Sequence, residues 1–212
     1  MAYSHFIWDF DGTLYDTYQC IVSAVALGLQ EMGLPLPDRG EVARLAKTTL
    51  RHACVTLAGE ERAQELLARY AVHAADMGTT ALVPYPGCRE ALEKVVEAGG
   101  FNYLYTHRNR QAVDALERDG MASLFRDFIT CEADFPHKPA PDALNWLAAQ
   151  HSLDPASCVM VGDRPIDVQA GHNAGMASAL FDPEGYFDNP PVNYVFKSLP
   201  EVPEALLNKQ TG

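Results

Sequence analysis

The sequence predicts an α/β fold: a doubly wound parallel sheet with a small α-helical domain inserted after its first strand. From residue 87 onward, short apolar segments alternate with helical segments, which is typical of a parallel sheet with crossover helices. Residues 15–78 instead show helical periodicity and no convincing strand. Because an apolar strand at 4–9 precedes this helical block, we expect the block to be an insertion that caps the sheet edge.

The insertion is predicted from apolar residues at helical spacing. Ile21, Val25 and Leu29 recur every four residues, and the segment from Leu66 to Met77 repeats the pattern. Two shorter helices are predicted within 39–58, and the segment 79–87, with two prolines and a glycine, is predicted to be a linker.

The remainder is predicted to be a Rossmann-like core. Further strands are expected at 101–106, 127–131, 158–162, 176–181 and 194–196, and helices at 87–98, around 112–116, and at 141–151, 166–173 and 199–208. We therefore expect residues 1–14 and 82–212 to form the core and residues 15–81 to form the cap.

The composition argues against several kinds of partner. The chain of 212 residues carries 16 Lys and Arg against 28 Asp and Glu, a net charge of −12, which disfavours nucleic acid and anionic membranes. No apolar run approaches the ~20 residues of a membrane span, and the N-terminus has no secretory signal pattern. The five cysteines form no C-x-x-C pair. These features predict reduced thiols and a cytoplasmic location.

Two clusters of carboxylates follow predicted strands. Asp9 and Asp11 come at the end of the first strand, where Gly12 allows a sharp turn. Asp163 follows the strand at 158–162, and Asp167 lies one helical turn further on. Ligands in parallel α/β sheets bind beyond the carboxyl ends of the strands. Hard oxygen ligands without clustered Cys or His indicate Mg²⁺ rather than zinc.

Two further strand ends supply groups that suit a phosphate. Thr106 ends the strand at 101–106 and is followed by His107 and Arg108, so that its hydroxyl and nearby N–H groups predict an anion cradle. Lys138 lies in a proline-rich loop. Taken singly, Thr106 could also be the N-cap of a helix, and Lys138 could be a solvent-exposed side chain on a loop. Together with the carboxylates, they indicate a protein that handles phosphoryl groups.

These residues resemble the four motifs of the haloacid dehalogenase (HAD) superfamily, in the same order. Asp-Phe-Asp-Gly-Thr at 9–13 is similar to the first motif, Thr106 to the second, Lys138 to the third and Gly-Asp-Arg-Pro-Ile-Asp at 162–167 to the fourth. The resemblance covers the whole chain, and the type of cap is similar to that of phosphoglycolate phosphatases and β-phosphoglucomutases.

The resemblance implies a phosphatase with a role for each motif residue. Asp9 would be the nucleophile that forms an aspartyl-phosphate, and Asp11 the general acid and base. Mg²⁺ would be held by the Asp9 side chain, the Asp11 carbonyl and Asp163, with Asp167 supporting them. Thr106, the N–H groups beside it and Lys138 would bind phosphate, with His107 as a further phosphate-binding candidate.

The substrate is expected to be a small phosphorylated metabolite, and the cap supplies the specificity candidates. These are Lys47, Thr48 and Arg51, in a predicted loop between the second and third cap helices. A solvent-exposed junction between helices, with no role in binding, explains these residues equally well. Cationic cap residues would suit an anionic substrate, such as a phosphorylated carboxylic acid. A phosphosugar mutase of the β-phosphoglucomutase type and a non-catalytic phosphometabolite-binding protein remain as alternatives. The oligomeric state is left open.

Overall fold

A computed structural model describes residues 3–78 and 82–207 of the chain. The contacts between Cα atoms divide it into two compact units, one made of 1–15 and 84–212 and the other of 16–83. These divisions fall one and two residues after the domain boundaries expected from the sequence. Within the described residues, no helix has the length and apolar character that a bilayer crossing requires.

The first unit contains a six-stranded sheet in which all the strand pairs are parallel. The strands are β1 (His5–Trp8), β4 (Phe101–Tyr105), β5 (Phe125–Ile129), β6 (Cys158–Gly162), β7 (Ala177–Phe181) and β8 (Tyr194–Phe196). Their order across the sheet is β5-β4-β1-β6-β7-β8. The strand that comes first in the chain is therefore at the centre of the sheet, as the doubly wound fold class requires.

Among the described residues of this unit, four helices come between strands in the chain and a fifth follows the last strand. They are α5 (Cys88–Glu97), α6 (Gln111–Arg118), α7 (Asp142–His151), α8 (Pro165–Asn173) and α9 (Glu201–Leu207). One core cluster packs Ile7 and Met160 of the sheet against Leu144 and Leu147 of α7 and Ala170 of α8. Burial of these apolar side chains, at roughly 25 cal/mol per Å², holds the helices on the sheet.

The second unit is a helical bundle. It contains α1 (Tyr18–Glu31), α2 (Arg39–Thr48), α3 (Leu50–Ala58) and α4 (Ala63–Met77). Its core joins Val25 and Leu29 of α1, Val42 of α2, Cys54 of α3 and Leu66 of α4. The helical periodicity read from the sequence thus corresponds to the apolar side of each helix.

Two features differ from the sequence-based expectations. The short strands β2 (Tyr15–Asp16) and β3 (Val83–Pro84) pair in a separate two-stranded sheet, within segments expected to be helical or a linker. The strand expected at 127–131 instead runs from Phe125 to Ile129. It ends there because Thr130 leads into a short 3₁₀ turn at Cys131–Ala133.

Candidate active site

The register of the central strands brings the predicted site residues to one edge of the sheet. Trp8 pairs with Leu104 of β4 and with Val161 of β6, so the three strands end at nearly the same level. Asp9 continues the ladder by donating its backbone N–H to the Val161 carbonyl at 2.8 Å. Residues that immediately follow these strands consequently converge on one side of the sheet.

The side chain of Lys138 joins two of the predicted carboxylates. Its ammonium donates to Oδ1 of Asp9 at 2.9 Å, to Oδ1 of Asp167 at 2.8 Å and to the carbonyl of Tyr105 at 2.9 Å. The three side chains of this charged group are almost fully buried. All three N–H donors of the lysine are thereby used, and the positive charge offsets two acids that would otherwise repel each other.

Burial and charge shift the titration of this cluster. Burial raises the pKa of the Asp9 carboxyl to about 7, and the Lys138 ammonium only partly opposes that effect. Burial also disfavours the charged form of Lys138, but Asp167 and Asp9 outweigh it and raise the pKa of the lysine above its ordinary value. Lys138 is therefore a fixed cation, while Asp9 is a carboxylate whose ionised form needs further positive charge.

Three carboxylates at this edge are placed to hold a cation. Asp9, Asp163 and Asp167 are all buried, and each offers an oxygen within 4.8 Å of those of the other two. Within the described part of the chain, Oδ2 of Asp9 has no hydrogen-bond partner. A buried carboxylate oxygen without a partner costs free energy unless a cation or donor contacts it. The all-oxygen donor set and this oxygen fit a hard divalent cation.

Asp167 is positioned by the start of α8. Its Oδ2 accepts a hydrogen bond from the Arg164 backbone N–H at 3.1 Å, while its Oδ1 accepts from Lys138. Gly162 makes this approach possible, because a Cβ at that position would lie 2.2 Å from Cβ of Asp167. The glycine of the fourth motif thus provides space for the aspartate that follows it.

Thr106 lies at the end of β4, as expected, and is buried. Its backbone N–H donates to the Ile129 carbonyl at 2.9 Å, and its Oγ1 accepts from the Arg108 backbone N–H at 3.1 Å. The threonine therefore organises the loop that follows β4. Its hydroxyl hydrogen can still donate to a phosphate oxygen, since this contact uses the hydroxyl as an acceptor.

The ring of His107 has a different contact from the one expected for a phosphate ligand. Its Nε2 accepts a hydrogen bond from the Lys138 backbone N–H at 2.9 Å. Burial and the nearby Lys138, His137 and Arg164 charges lower the pKa of His107 to about 4, so the ring is neutral near pH 7. The Nε2 nitrogen thus positions the lysine loop, and a contact of His107 with phosphate stays a prediction.

On the other side of the same loop, Asn173 donates its side-chain N–H to the Pro139 carbonyl at 2.9 Å. His107 and Asn173 together fix the backbone on both sides of Lys138. Neither contact is predictable from motif spacing, because each depends on the direction of a side chain.

Asp11 is separate from the buried cluster and pairs with Arg108. The guanidinium donates from Nε to both carboxylate oxygens, at 3.0 and 3.2 Å, and from Nη2 to Oδ1 at 2.6 Å. The sequence does not indicate this ion pair, because a residue two positions after a candidate phosphate ligand could equally face water. The two acids of the first motif therefore have distinct environments, one buried and one partly exposed.

The cap candidates lie in helices rather than in a loop. Lys47 and Thr48 are the last residues of α2, and Arg51 is near the start of α3. The Lys47 ammonium lies 5.1 Å from the centre of the Tyr18 ring, within the same unit. Arg51 is exposed and pairs with Glu60 at 3.3 Å. The expected loop is in fact a single residue between two helices, since Thr49 caps the second of them.

Comparisons with known proteins identify the family. The family model described as haloacid dehalogenase-like hydrolase matches residues 6–181. The chain belongs to this family.

The chain is similar to known phosphatases over most of its length. It is 30% identical over 182 residues to a phosphoglycolate phosphatase of Aliivibrio fischeri, covering 81% of this chain and 80% of that protein. It is 28% identical over 182 residues to an N-acetylmuramic acid 6-phosphate phosphatase of Pseudomonas aeruginosa, covering 82% and 79%. A solved haloacid dehalogenase-like hydrolase from Streptococcus pneumoniae shares the fold, with a TM-score of 0.80, 20% identity and coverage of 96% and 98%.

Proposed function

We propose that this hydrolase is a Mg²⁺-dependent phosphatase that acts on small phosphate monoesters through an aspartyl-phosphate intermediate. The observation that carries the proposal is the buried group formed by Asp9, Lys138, Asp163 and Asp167 at the carboxyl edge of the sheet. A nucleophilic carboxylate, a fixed cation and an oxygen cradle for a metal ion are the parts that phosphoryl transfer needs.

In the first step, Asp9 attacks the phosphorus atom and the ester oxygen leaves. One oxygen of Asp9 accepts from Lys138, and the ammonium orients this carboxylate and favours its ionised form. Asp11 donates a proton to the leaving oxygen and later removes a proton from the water that hydrolyses the acyl phosphate. The two acids have separate environments, since Asp9 contacts Lys138 and Asp11 contacts Arg108, and they can therefore take different roles.

Phosphate oxygens are bound by Thr106 and the backbone N–H groups beside it. The Asp9 side chain, the Asp11 carbonyl and Asp163 are the proposed Mg²⁺ ligands, and Asp167 supports them through Lys138 and the start of α8. The ion, when bound, supplies positive charge that offsets the charge on the transferring group. The buried Asp9 carboxyl, whose pKa is raised, is the group that would gain most from that charge.

The substrate class is proposed to be a small phosphorylated acid or a sugar phosphate. Two of the relatives are named for phosphorylated acids, phosphoglycolate and N-acetylmuramic acid 6-phosphate. The cap residues Lys47, Thr48 and Arg51 are proposed to contribute to substrate choice. Substituting each by alanine and comparing kcat/KM over a substrate panel tests that role.

A cytoplasmic location agrees with five cysteines, all in the described part of the chain, that form no disulfide.

The test is phosphate release from a panel of phosphate monoesters, with Mg²⁺ and with EDTA. We expect release from the wild type only with Mg²⁺, and none from Asp9→Asn, which keeps the shape of the side chain but lacks the nucleophilic charge. Asp114→Asn, at an exposed position of α6 that pairs with Arg110, is the matched control and should retain activity.

Two other outcomes would change the proposal. Interconversion of glucose phosphates without net phosphate release would replace the phosphatase by a mutase. Tight binding of a phosphate ester without turnover, in both the wild type and Asp9→Asn, would indicate a binding protein.

A further inference from the structure

The contact between Arg108 and Asp11 has the geometry by which arginine recognises a carboxylate. Two nitrogens of the guanidinium, Nε and Nη2, donate to the Asp11 carboxylate at 2.6 to 3.2 Å. The side chains are 25% and 28% exposed, whereas the Lys138 ammonium and its partners are enclosed. A small molecule that reaches the sheet edge can therefore approach the arginine, and the lysine has all its donors in use.

The backbone of Arg108 is fixed beside the proposed phosphate ligands. Its N–H donates to Oγ1 of Thr106 at 3.1 Å, and its carbonyl accepts from the Cys131 N–H at 3.1 Å. The guanidinium carbon lies 5.8 Å from the centre of the Phe10 ring. The backbone of Arg108 thus lies beside the proposed phosphate ligand Thr106, and its side chain contacts Asp11, the acid proposed to protonate the leaving group.

We propose that Arg108 is a specificity residue that binds a second anionic group of the substrate, a carboxylate close to the phosphate ester. The inference rests on the proposed phosphatase function and narrows its substrate class to phosphorylated carboxylic acids. The substrate carboxylate replaces that of Asp11 on the planar guanidinium, whose paired donors match a carboxylate. The exchange conserves the ion pair at Arg108 and releases the Asp11 side chain toward the leaving oxygen.

Two pairs of matched compounds test the proposal. The first pair consists of two phosphonates, which a phosphatase cannot hydrolyse. 3-Phosphonopropionate carries a carboxylate at the position where 3-hydroxypropylphosphonate carries a hydroxymethyl group. Isothermal titration calorimetry in Mg²⁺ measures their dissociation constants. We expect the wild type to bind the carboxylate compound more tightly. Arg108→Gln should reduce the ratio of the two dissociation constants by about 10- to 100-fold, the range expected for the loss of a hydrogen bond between charged groups.

Two variants control for charge and folding. Arg110→Gln removes an exposed arginine two residues away that pairs with Asp114 and Glu117, and it should keep the wild-type preference. Arg108→Lys keeps the charge without the planar pair of donors, and it should give an intermediate preference. Circular dichroism shows whether each variant is folded, and the intermediate result for lysine stays informative if the glutamine variant is unstable.

The second pair, phosphoglycolate and 2-hydroxyethyl phosphate, measures the same preference in kcat/KM. Equal wild-type affinity for the two phosphonates, or an equal loss for both compounds in Arg108→Gln, would overturn the role of Arg108. The absence of turnover of any monoester, with the carboxylate preference in binding intact, would overturn the phosphatase function and leave the recognition role standing. The two failures are therefore distinguishable.

Discussion

Replacing Gly162 by alanine should disturb the site without altering any charged group. The three atoms closest to the added Cβ would all belong to Asp167, at 2.2, 2.4 and 2.6 Å. Carbon atoms in ordinary contact are about 3.5 Å apart or more. Asp167 would therefore have to move by about 1.3 Å, because the strand that carries Gly162 is fixed on both sides by the sheet.

A displacement of that size breaks both hydrogen bonds of Asp167, which are 2.8 Å to Lys138 and 3.1 Å to the Arg164 N–H. Loss of a helix-capping contact costs about 0.5–2 kcal/mol, and a buried ion pair that loses one partner costs about 3–5 kcal/mol. Lys138 would keep Asp9 as a partner, and alanine restricts the unfolded chain. We therefore expect a decrease of roughly 2–4 kcal/mol in the free energy of unfolding.

Urea denaturation of the metal-free protein measures this free energy, with the m-value as a check that the unfolded state is unchanged. The control is a double-mutant cycle with Asp167→Gly, in which the clashing side chain is absent. In that background, Gly162→Ala should cost less than about 1 kcal/mol. An equal cost in both backgrounds would refute the argument that Gly162 is needed to make room for Asp167.

Three further predictions concern the buried cluster and its loop. Lys138→Met should lower the free energy of unfolding by about 3–5 kcal/mol in urea denaturation, because Asp9 and Asp167 lose their shared cation; a loss below 1 kcal/mol would contradict the pairing. Millimolar Mg²⁺ should raise the melting temperature of the wild type in a thermal-shift assay but not that of Asp163→Asn, and an equal rise in both would exclude this carboxylate as a ligand. The pKa of His107 in the folded protein, about 4, lies below its unfolded value of 6.5, so the unfolded state binds the proton first and stability should fall as the pH decreases from 6.5 to 4. His107→Gln keeps an acceptor for the Lys138 N–H and should lack this component, whereas identical pH profiles of the two proteins would contradict the neutral ring.

The strand ends were predictable from the sequence because parallel strands place their carboxyl ends together. The alternation of apolar and helical segments identified β1, β4 and β6, and the residues that follow them, Asp9, Thr106 and Asp163, are at one edge of the sheet. The strand β5 was misplaced by two residues, because apolar character continues into the turn at Cys131. The two-residue strands β2 and β3 are too short to show a period of two.

Side-chain contacts were less predictable than strand positions. The sequence places His107, Arg108 and Lys138 in the right loops, but not the direction of each side chain. Whether a histidine contacts a backbone N–H or a phosphate depends on its rotamer, and the same holds for an arginine that contacts either an aspartate or water. The contact between Gly162 and Asp167 likewise depends on how closely α8 approaches the end of β6. These contacts are set by the packing of the folded chain rather than by the spacing of residues in the sequence.

The position of β1 has a consequence for biosynthesis. The strand that ends at the candidate nucleophile is the first to leave the ribosome, yet both of its neighbours in the sheet come from residues 101–105 and 158–162. At about 5–20 residues per second, the roughly 150 residues that separate β1 from β6 take on the order of 8–30 seconds to be translated. The four helices of residues 16–83 have local contacts that can form during this interval. The nascent chain thus carries its apolar strand, with Phe6, Ile7 and Trp8, without one of its two neighbours for longer than any other strand of the sheet. These residues are an expected binding site for a chaperone during synthesis.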